Sequence, residues 1–212
     1  MTSFAKSIAA ERPEEIALRD PRQALTWLDV DNVLNRAANA IRLAETGPDL
    51  RIAVFAENGV ETALANLGGL IGGASVVPIN FHLTAEEVAY ILSDSGARMV
   101  FLGPETAERG LEAATLAGID QIIGWRCEIA GLQSWSEWLA ASSPEEPDTS
   151  IPPRPNLLYT SGTTGRPKGT HLPPTMFAGG DTVEAHLQNL KLNPLAALGP
   201  HLVVGPMYHT GP

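Results

Sequence analysis

A chain of 212 residues with 44% hydrophobic content is long enough to bury a core and too apolar for wholesale disorder. Its formal net charge of −10 leaves no basic footprint for nucleic acid or an anionic lipid surface, so an anionic substrate has to meet locally concentrated cations or a metal ion. The single cysteine, Cys127, excludes an intramolecular disulfide and any multi-cysteine metal site, and fits a reducing cytoplasm.

The first thirteen residues carry Lys6, Glu11 and Arg12 and contain no apolar signal-peptide core. Thr26 followed by Asp29 marks a helix start, and Val30, Val33, Leu34, Ala37 and Ile41 then fall on one face at the 3.6 period. Ile52–Ala56 reads as a buried strand. Residues Thr62 to Phe81 carry no charge, and Gly68, Gly69, Gly72 and Gly73 form two overlapping small-xxx-small pairs, which imitates a membrane span. Asn66, Pro78 and Asn80 interrupt it, and its character changes from helix to strand at Ala74. The expectation is a glycine helix packed closely on a sheet, then a buried strand Ser75–Ile79, with no transmembrane segment.

Thr84-x-x-Glu87 is a capping box, with Val88, Ile91 and Leu92 as the apolar stripe behind it. Met99–Leu102 reads as a strand, Glu105–Ala117 as a helix and Ile119–Ile123 as another strand. Strands alternating with helices of this length predict βαβ units. The fold class is α/β, a mostly parallel sheet with helices on both faces.

Five prolines (144, 147, 152, 153 and 155) and the acidic residues Glu145, Glu146 and Asp148 exclude a helix or central strand over 142–155. That segment divides the chain into an α/β unit at 1–141, a proline-rich acidic linker or surface loop, and the start of a second α/β unit at 156–212. In the latter, Asn156–Thr160 reads as a strand, about Thr175 to Lys191 as a helix and Leu202–Val204 as a strand.

Between strand and helix lies Tyr159-Thr-Ser-Gly-Thr-Thr-Gly-Arg-Pro-Lys-Gly169. Gly162, Gly165 and Gly169 free the backbone to turn sharply and aim successive N–H groups at one spot. Ser161, Thr163 and Thr164 add hydroxyls, and Arg166 and Lys168 add positive charge in an acidic chain. Strand, donor-rich turn and cation describe a phosphate cradle. Composition alone favours a solvated loop that merely joins a strand to a helix; the complete string is what points elsewhere. A Walker loop is excluded because Gly169 follows Lys168 where Ser or Thr is required; G-x-G-x-x-G and G-x-S-x-G are absent.

The eleven-residue string resembles the phosphate-binding core motif of the adenylate-forming superfamily, which includes acyl-CoA synthetases, nonribosomal peptide adenylation domains and luciferases. Met207-Tyr208-His209-Thr210-Gly211 resembles the next core motif of that family, and Val76–Asn80 with Leu83–Gly96 is similar to the N-terminal part of acyl-CoA synthetases. The resemblance implies a carboxylate attacking the α-phosphate of ATP, followed by transfer of the acyl group to the thiol of coenzyme A. It implies that Thr160, Ser161, Gly162, Thr163, Thr164 and Gly165 wrap the β- and γ-phosphates and that Thr160 or Thr164 helps to hold Mg. Lys168 adds charge or anchors the loop, and His209 sits where carboxylate and α-phosphate meet. A fatty or related acid is the expected substrate and the cytoplasm the expected site.

Two alternatives remain. One is a non-catalytic nucleotide-binding or dimerisation remnant; the other is an enzyme passing its acyl group to a carrier protein. Family members continue beyond the last motif found here, so the chain is expected to be an N-terminal part, inactive alone, with an unpaired sheet edge and a tendency to self-associate as a homodimer. His82, His171, His186 and His201 show no metal-ligand spacing and are expected to be surface or packing residues. Thr170-His171-Leu172-Pro173-Pro174 departs from the small aliphatics that commonly follow the family's Lys-Gly.

Overall fold

The computed structural model describes residues 5–44, 49–160, 167–171, 179–192 and 199–209. A short helix α1 (Lys6–Glu11) leads into an antiparallel hairpin of β1 (Ile16–Arg19) and β2 (Ala24–Thr26). The Thr26 hydroxyl accepts from the Asp29 N–H and the Asp29 carboxylate accepts from the Thr26 N–H, so α2 (Trp27–Leu43) starts where its capping pair dictates. Strand β3 (Arg51–Phe55), helix α3 (Val60–Ile71) and strand β4 (Ser75–Ile79) follow. Thr84 and Glu87 cap α4 (Ala85–Ser95) in the same reciprocal way.

Strand β5 (Met99–Leu102) leads to α5 (Ala107–Ala117), which begins two residues later than its sequence pattern suggests. The Thr106 hydroxyl explains the delay: it donates to the Phe55 carbonyl at 2.5 Å and accepts from the Gly103 N–H at 3.1 Å. Strand β6 (Gln121–Gly124) also begins late, because Gly118 ends α5 in the left-handed region and the Ile119 N–H still bonds to the Ala114 carbonyl. Short strand β7 (Gln133–Ser134) and helix α6 (Trp135–Ala140) complete this part.

The five strands β4-β3-β5-β6-β7 pair in parallel throughout. Alternate residues of each strand enter opposite cores. Ile52, Val54, Met99 and Phe101 face the side covered by α2, α3 and α6, whereas Ala53, Phe55, Val100 and Leu102 face the side covered by α4 and α5. An aromatic cluster fills the first core, with Phe101 edge-on to Trp135 and Trp138 at 5.7 and 5.3 Å.

The glycine helix packs as its sequence predicts. A Cβ at Gly68 would stand 2.8 Å from the Ala37 Cβ of α2, and one at Gly69 would stand 2.7 Å from side-chain atoms of Ile52 and Val76. Among the described residues, no helix is long and apolar enough to cross a membrane.

Residues 142–155 have no regular secondary structure and run along α2. Arg36 donates to the Ser142 carbonyl, Asn39 to those of Ser143 and Glu145, and Arg42 to that of Asp148. These three side chains recur every third residue and so share one helix face. The segment ends against β4, where the Ser75 hydroxyl donates to the Pro155 carbonyl at 2.7 Å. Beyond it come β8 (Leu157–Thr160), β9 (Lys168–His171) and helix α7 (Val183–Lys191).

Two expectations are corrected here. The helix expected from about Thr175, itself outside the described residues, is not continuous to Lys191: Gly179 and Gly180 take positive φ (70° and 103°), and Thr182 caps α7 at Val183. Leu202–Val204 is not a strand: no neighbouring strand pairs with it among the described residues, and Leu202 and Val204 are 86% and 88% exposed. An apolar run extends into a ladder only where another edge can accept its backbone.

Gly68→Ala is expected to destabilise the chain by roughly 1 kcal/mol in urea unfolding. Alanine's propensity gain of about 1 kcal/mol is outweighed because the Ala37 Cβ cannot rotate away and α2 and α3 have to separate. A raised unfolding midpoint would contradict a glycine-set spacing.

Candidate functional site

The glycine-rich string forms the connection of a hairpin. Strands β8 and β9 pair antiparallel, with Thr160 opposite Lys168, Tyr159 opposite Gly169 and Leu157 opposite His171. Ser161, Gly162, Thr163, Thr164 and Gly165 lie in the connecting stretch, outside the described residues. The loop was expected to lead towards a helix, but it leads into a second strand, where Gly169 disfavours helix and β-branched Thr170 suits extended backbone.

Thr160 and Lys168 are both exposed and face each other across the ladder at the mouth of the connection. The pairing sets a hydroxyl-bearing and an ammonium-bearing residue opposite each other, a donor set that suits a phosphate oxygen. His171 is exposed and ends β9. Gly169 has extended backbone, and its missing side chain matters sterically. An added Cβ would lie 3.2 Å from the Tyr159 ring and from a methyl of Leu157.

His209 belongs to a different structural piece. Its N–H donates to the Pro206 carbonyl at 3.0 Å, closing a turn that leaves the imidazole exposed. That turn is seated on the carboxyl ends of β3 and β4. The Asn58 side chain, just beyond β3, donates to the Gly205 carbonyl and accepts from the Met207 N–H, both at 2.8 Å. Phe81, just beyond β4, meets the Tyr208 ring edge-on at 5.9 Å and lies 4.1 Å from the His82 ring.

Between them is an open groove of about 360 Å³, lined by Asn58, Phe81, His82 and the 204–208 segment. Its wall is held by Arg109 of α5, which donates to the carbonyls of Phe81 and Leu83 at 2.9 and 2.6 Å. The groove offers apolar and aromatic surface with an amide and an imidazole at its margin. His186, by contrast, is 2% exposed, and its Nδ1 lies 3.1 Å from the Gly179 carbonyl, a packing role.

Two residues beyond Asn58, at the start of α3, lies an ionic knot. Asp20, between β1 and β2, accepts from the Val60 N–H at the start of α3 and lies 3.6 Å from Arg126, which bonds Glu61 at 2.5 Å. Arg126 takes a left-handed φ of 56°, unusual for a side-chain-bearing residue, to reach both carboxylates. Burial pushes the Asp20 carboxyl up. The N–H groups of Val60, Arg22 and Gln23, together with Arg126, outweigh it and hold the group below its ordinary value.

Sequence reading named Thr160, Lys168 and His209 but missed Asn58, Phe81, Arg109 and the knot. Asn58-Gly59 after a buried strand is a turn signal. It carries no information about a partner 147 residues away. Among the described residues, no group of three or more His, Cys, Asp or Glu side chains could hold a metal ion.

The AMP-binding enzyme family model matches residues 5–196. Long-chain-fatty-acid–CoA ligase FadD13 of Mycobacterium tuberculosis is 35% identical over 147 residues, covering 68% of this chain and 29% of its own length. Fatty acid–[acyl-carrier-protein] ligase ScoC of Streptomyces coeruleorubidus is 32% identical over 167 residues, 77% of this chain and 31% of its own. The solved N-terminal domain of FACL13 from Mycobacterium tuberculosis, inhibitor-bound, superposes with a TM-score of 0.66 at 30% identity, covering 80% of this chain and 43% of that one. The chain spans under a third of the length of the curated relatives it matches.

Asn58→Ala is expected to speed hydrogen exchange of the Met207 amide five- to tenfold, as one solvent-exposed bond of about 1 kcal/mol is lost. Unchanged exchange there would mean that the turn seats itself without Asn58. For Asp20, a depressed folded pKa contributes stability above the unfolded value of about 3.9, and that stability is lost as pH falls through the folded value. Asp20→Asn should therefore cost roughly 1–3 kcal/mol at pH 7 and flatten the stability loss below about pH 4, as read from urea midpoints. Parallel pH profiles for both proteins would remove Asp20 from the knot.

Proposed function

The chain belongs to the AMP-binding family of adenylate-forming enzymes, and on that premise we propose that it supplies the phosphate-handling part of an ATP-dependent fatty-acid activation. In this reading the acid's carboxylate oxygen attacks the α-phosphorus of ATP. The bond to the β-phosphate oxygen breaks, and acyl-adenylate and pyrophosphate form. The thiol of coenzyme A then attacks the acyl carbon as thiolate and AMP leaves.

The chemical difficulty is the meeting of two anions, so stabilisation has to come from donors aimed at the charge that builds on pyrophosphate. The observation that carries the proposal is the hairpin. Its ladder sets exposed Thr160 and Lys168 opposite each other at the two ends of the glycine-rich connection. Lys168 supplies charge to the β- and γ-phosphates and the Thr160 hydroxyl a neutral donor or a ligand. We assign Ser161, Gly162, Thr163, Thr164 and Gly165 the remaining contacts to those phosphates.

A Mg ion would be held by the Thr160 or Thr164 hydroxyl together with substrate phosphate oxygens, a set that suits its preference for hard oxygen ligands. When bound it supplies Lewis-acid neutralisation of the phosphate charge. His209, exposed beside the groove, orients the entering carboxylate. We take 1–141 and 156–212 as two α/β units joined by the 142–155 segment, and a reducing cytoplasm as the setting.

Similarity to an acyl-carrier-protein ligase favours one second reading, in which a carrier-protein thiol replaces coenzyme A as acceptor. Both readings share the adenylation step and differ only in the acceptor.

The first test is Mg-ATP binding to the chain, where Lys168→Ala is expected to weaken affinity about tenfold through loss of one charge-assisted bond. The second is carboxylate-dependent exchange of pyrophosphate into ATP over acids of graded length, for the chain and any longer product of its reading frame. Exchange that rises with acyl length supports the fatty-acid reading. ATP binding with no exchange from any product leaves a non-catalytic nucleotide-binding protein.

A further inference from the structure

We propose that Tyr159 is a positioning residue for Thr160 and Lys168, the phosphate-facing pair proposed above, acting through the hydrogen bond from its phenol to the carboxylate of Asp94. The inference rests on the reading of the loop given above and adds a residue pair to it.

Tyr159 opens the eleven-residue string, yet its polar atom is engaged outside the loop. The phenol O–H donates to Asp94 Oδ2 at 2.6 Å, across 65 residues of sequence. Asp94 sits in the last turn of α4, a helix anchored in the core by Val88, Ile91 and Leu92. The Tyr159 ring packs half-buried against that same core, next to buried Leu157. A bond from a hydroxyl to an ionised acceptor at this length is among the stronger neutral-to-charged kinds.

The ladder transmits the constraint. Tyr159 pairs with Gly169, and the adjacent pair is Thr160 with Lys168. Gly169 makes the arrangement feasible, since any side chain there would press on the ring. The tether thus holds the two residues at the mouth of the connection at a set distance from α4. Apart from that bond, the hairpin is attached by β8 lying against β4, by packing of Leu157 and the Tyr159 ring, and by the 2.7 Å bond between Ser75 and the Pro155 carbonyl. Burial, then the bond to Asp94 and its charge, hold the phenol well above its ordinary range, so the donor persists at neutral and alkaline pH.

The chain and its Tyr159→Phe, Asp94→Ala, Asp94→Asn and Tyr159→Phe/Asp94→Ala variants test this. Hydrogen exchange of the β9 amides and the Mg-ATP dissociation constant are the two readouts. Tyr159→Phe keeps the ring and its packing, so it is expected to leave the thermal midpoint within a few degrees. It should nevertheless speed β9 exchange about tenfold and weaken Mg-ATP three- to tenfold. Asp94→Ala should match it, the double variant should be no worse than either single one, and Asp94→Asn should retain most protection because its amide oxygen still accepts.

Additive single effects, or wild-type exchange in Tyr159→Phe, would overturn the tether. Faster exchange with unchanged Mg-ATP affinity would overturn the positioning role and leave a purely structural bond. A wild-type chain that binds no Mg-ATP would sink the nucleotide reading instead, an outcome separable from the exchange series.

Discussion

Strands paired in parallel have to be returned to the same starting edge by a crossover, so β3, β4, β5 and β6 all finish at one rim of the sheet. The rest of the molecule follows from that constraint. Strands buried on both faces need helices on both sides, which is why the apolar residues of β3 and β5 divide between two cores. The loops leaving the strands collect at the common rim. There Asn58 and Phe81 meet the turn before His209, Arg109 holds the Phe81 carbonyl, and Arg126 reaches Asp20 and Glu61.

In open α/β sheets the usual ligand crevice lies where the strand order reverses, here between β3 and β5. This chain fills that place with its own atoms. Thr106 bonds the end of β3 and the Gly103 N–H, and a Cβ on Gly103 would lie 2.3 Å from the Glu57 carboxylate. The groove beside His209 is instead at the ends of β3 and β4, one strand further out. In the proposed reading, phosphate chemistry belongs to the glycine-rich hairpin and not to the first βα turn. In the proposed reaction, backbone amides and hydroxyls of a turn meet the phosphates, and the macrodipole of a directly following helix has no part.

Legibility in the sequence followed interaction range. Capping pairs at Thr26/Asp29 and Thr84/Glu87 act within one helical turn, and both could be read directly and were found as expected. The uncharged glycine stretch was readable too, because Gly68 and Gly69 have one steric use in a close-packed α/β layer. Errors of one or two residues in α5 and β6 came from Thr106, which bonds the end of β3, and from Gly118, which ends α5 in the left-handed region. Leu202–Val204 failed for the same reason on a larger scale. Alternation of side chains marks a segment fit to be a strand, whereas pairing needs an available edge.

By itself the sequence determined the α/β class, the capped starts of α2 and α4, the buried strands and the chemical character of the Tyr159–Gly169 string, since each depends on residue type and short-range order. Only tertiary structure decided that this string joins two antiparallel strands, that Tyr159 reaches Asp94, and that Asn58 seats the His209 turn. Those contacts join residues 65 and 149 positions apart. Hydrogen-bonding capacity is written in the composition, but the choice of partner is made by the packing that brings distant backbone and side chains within 3 Å.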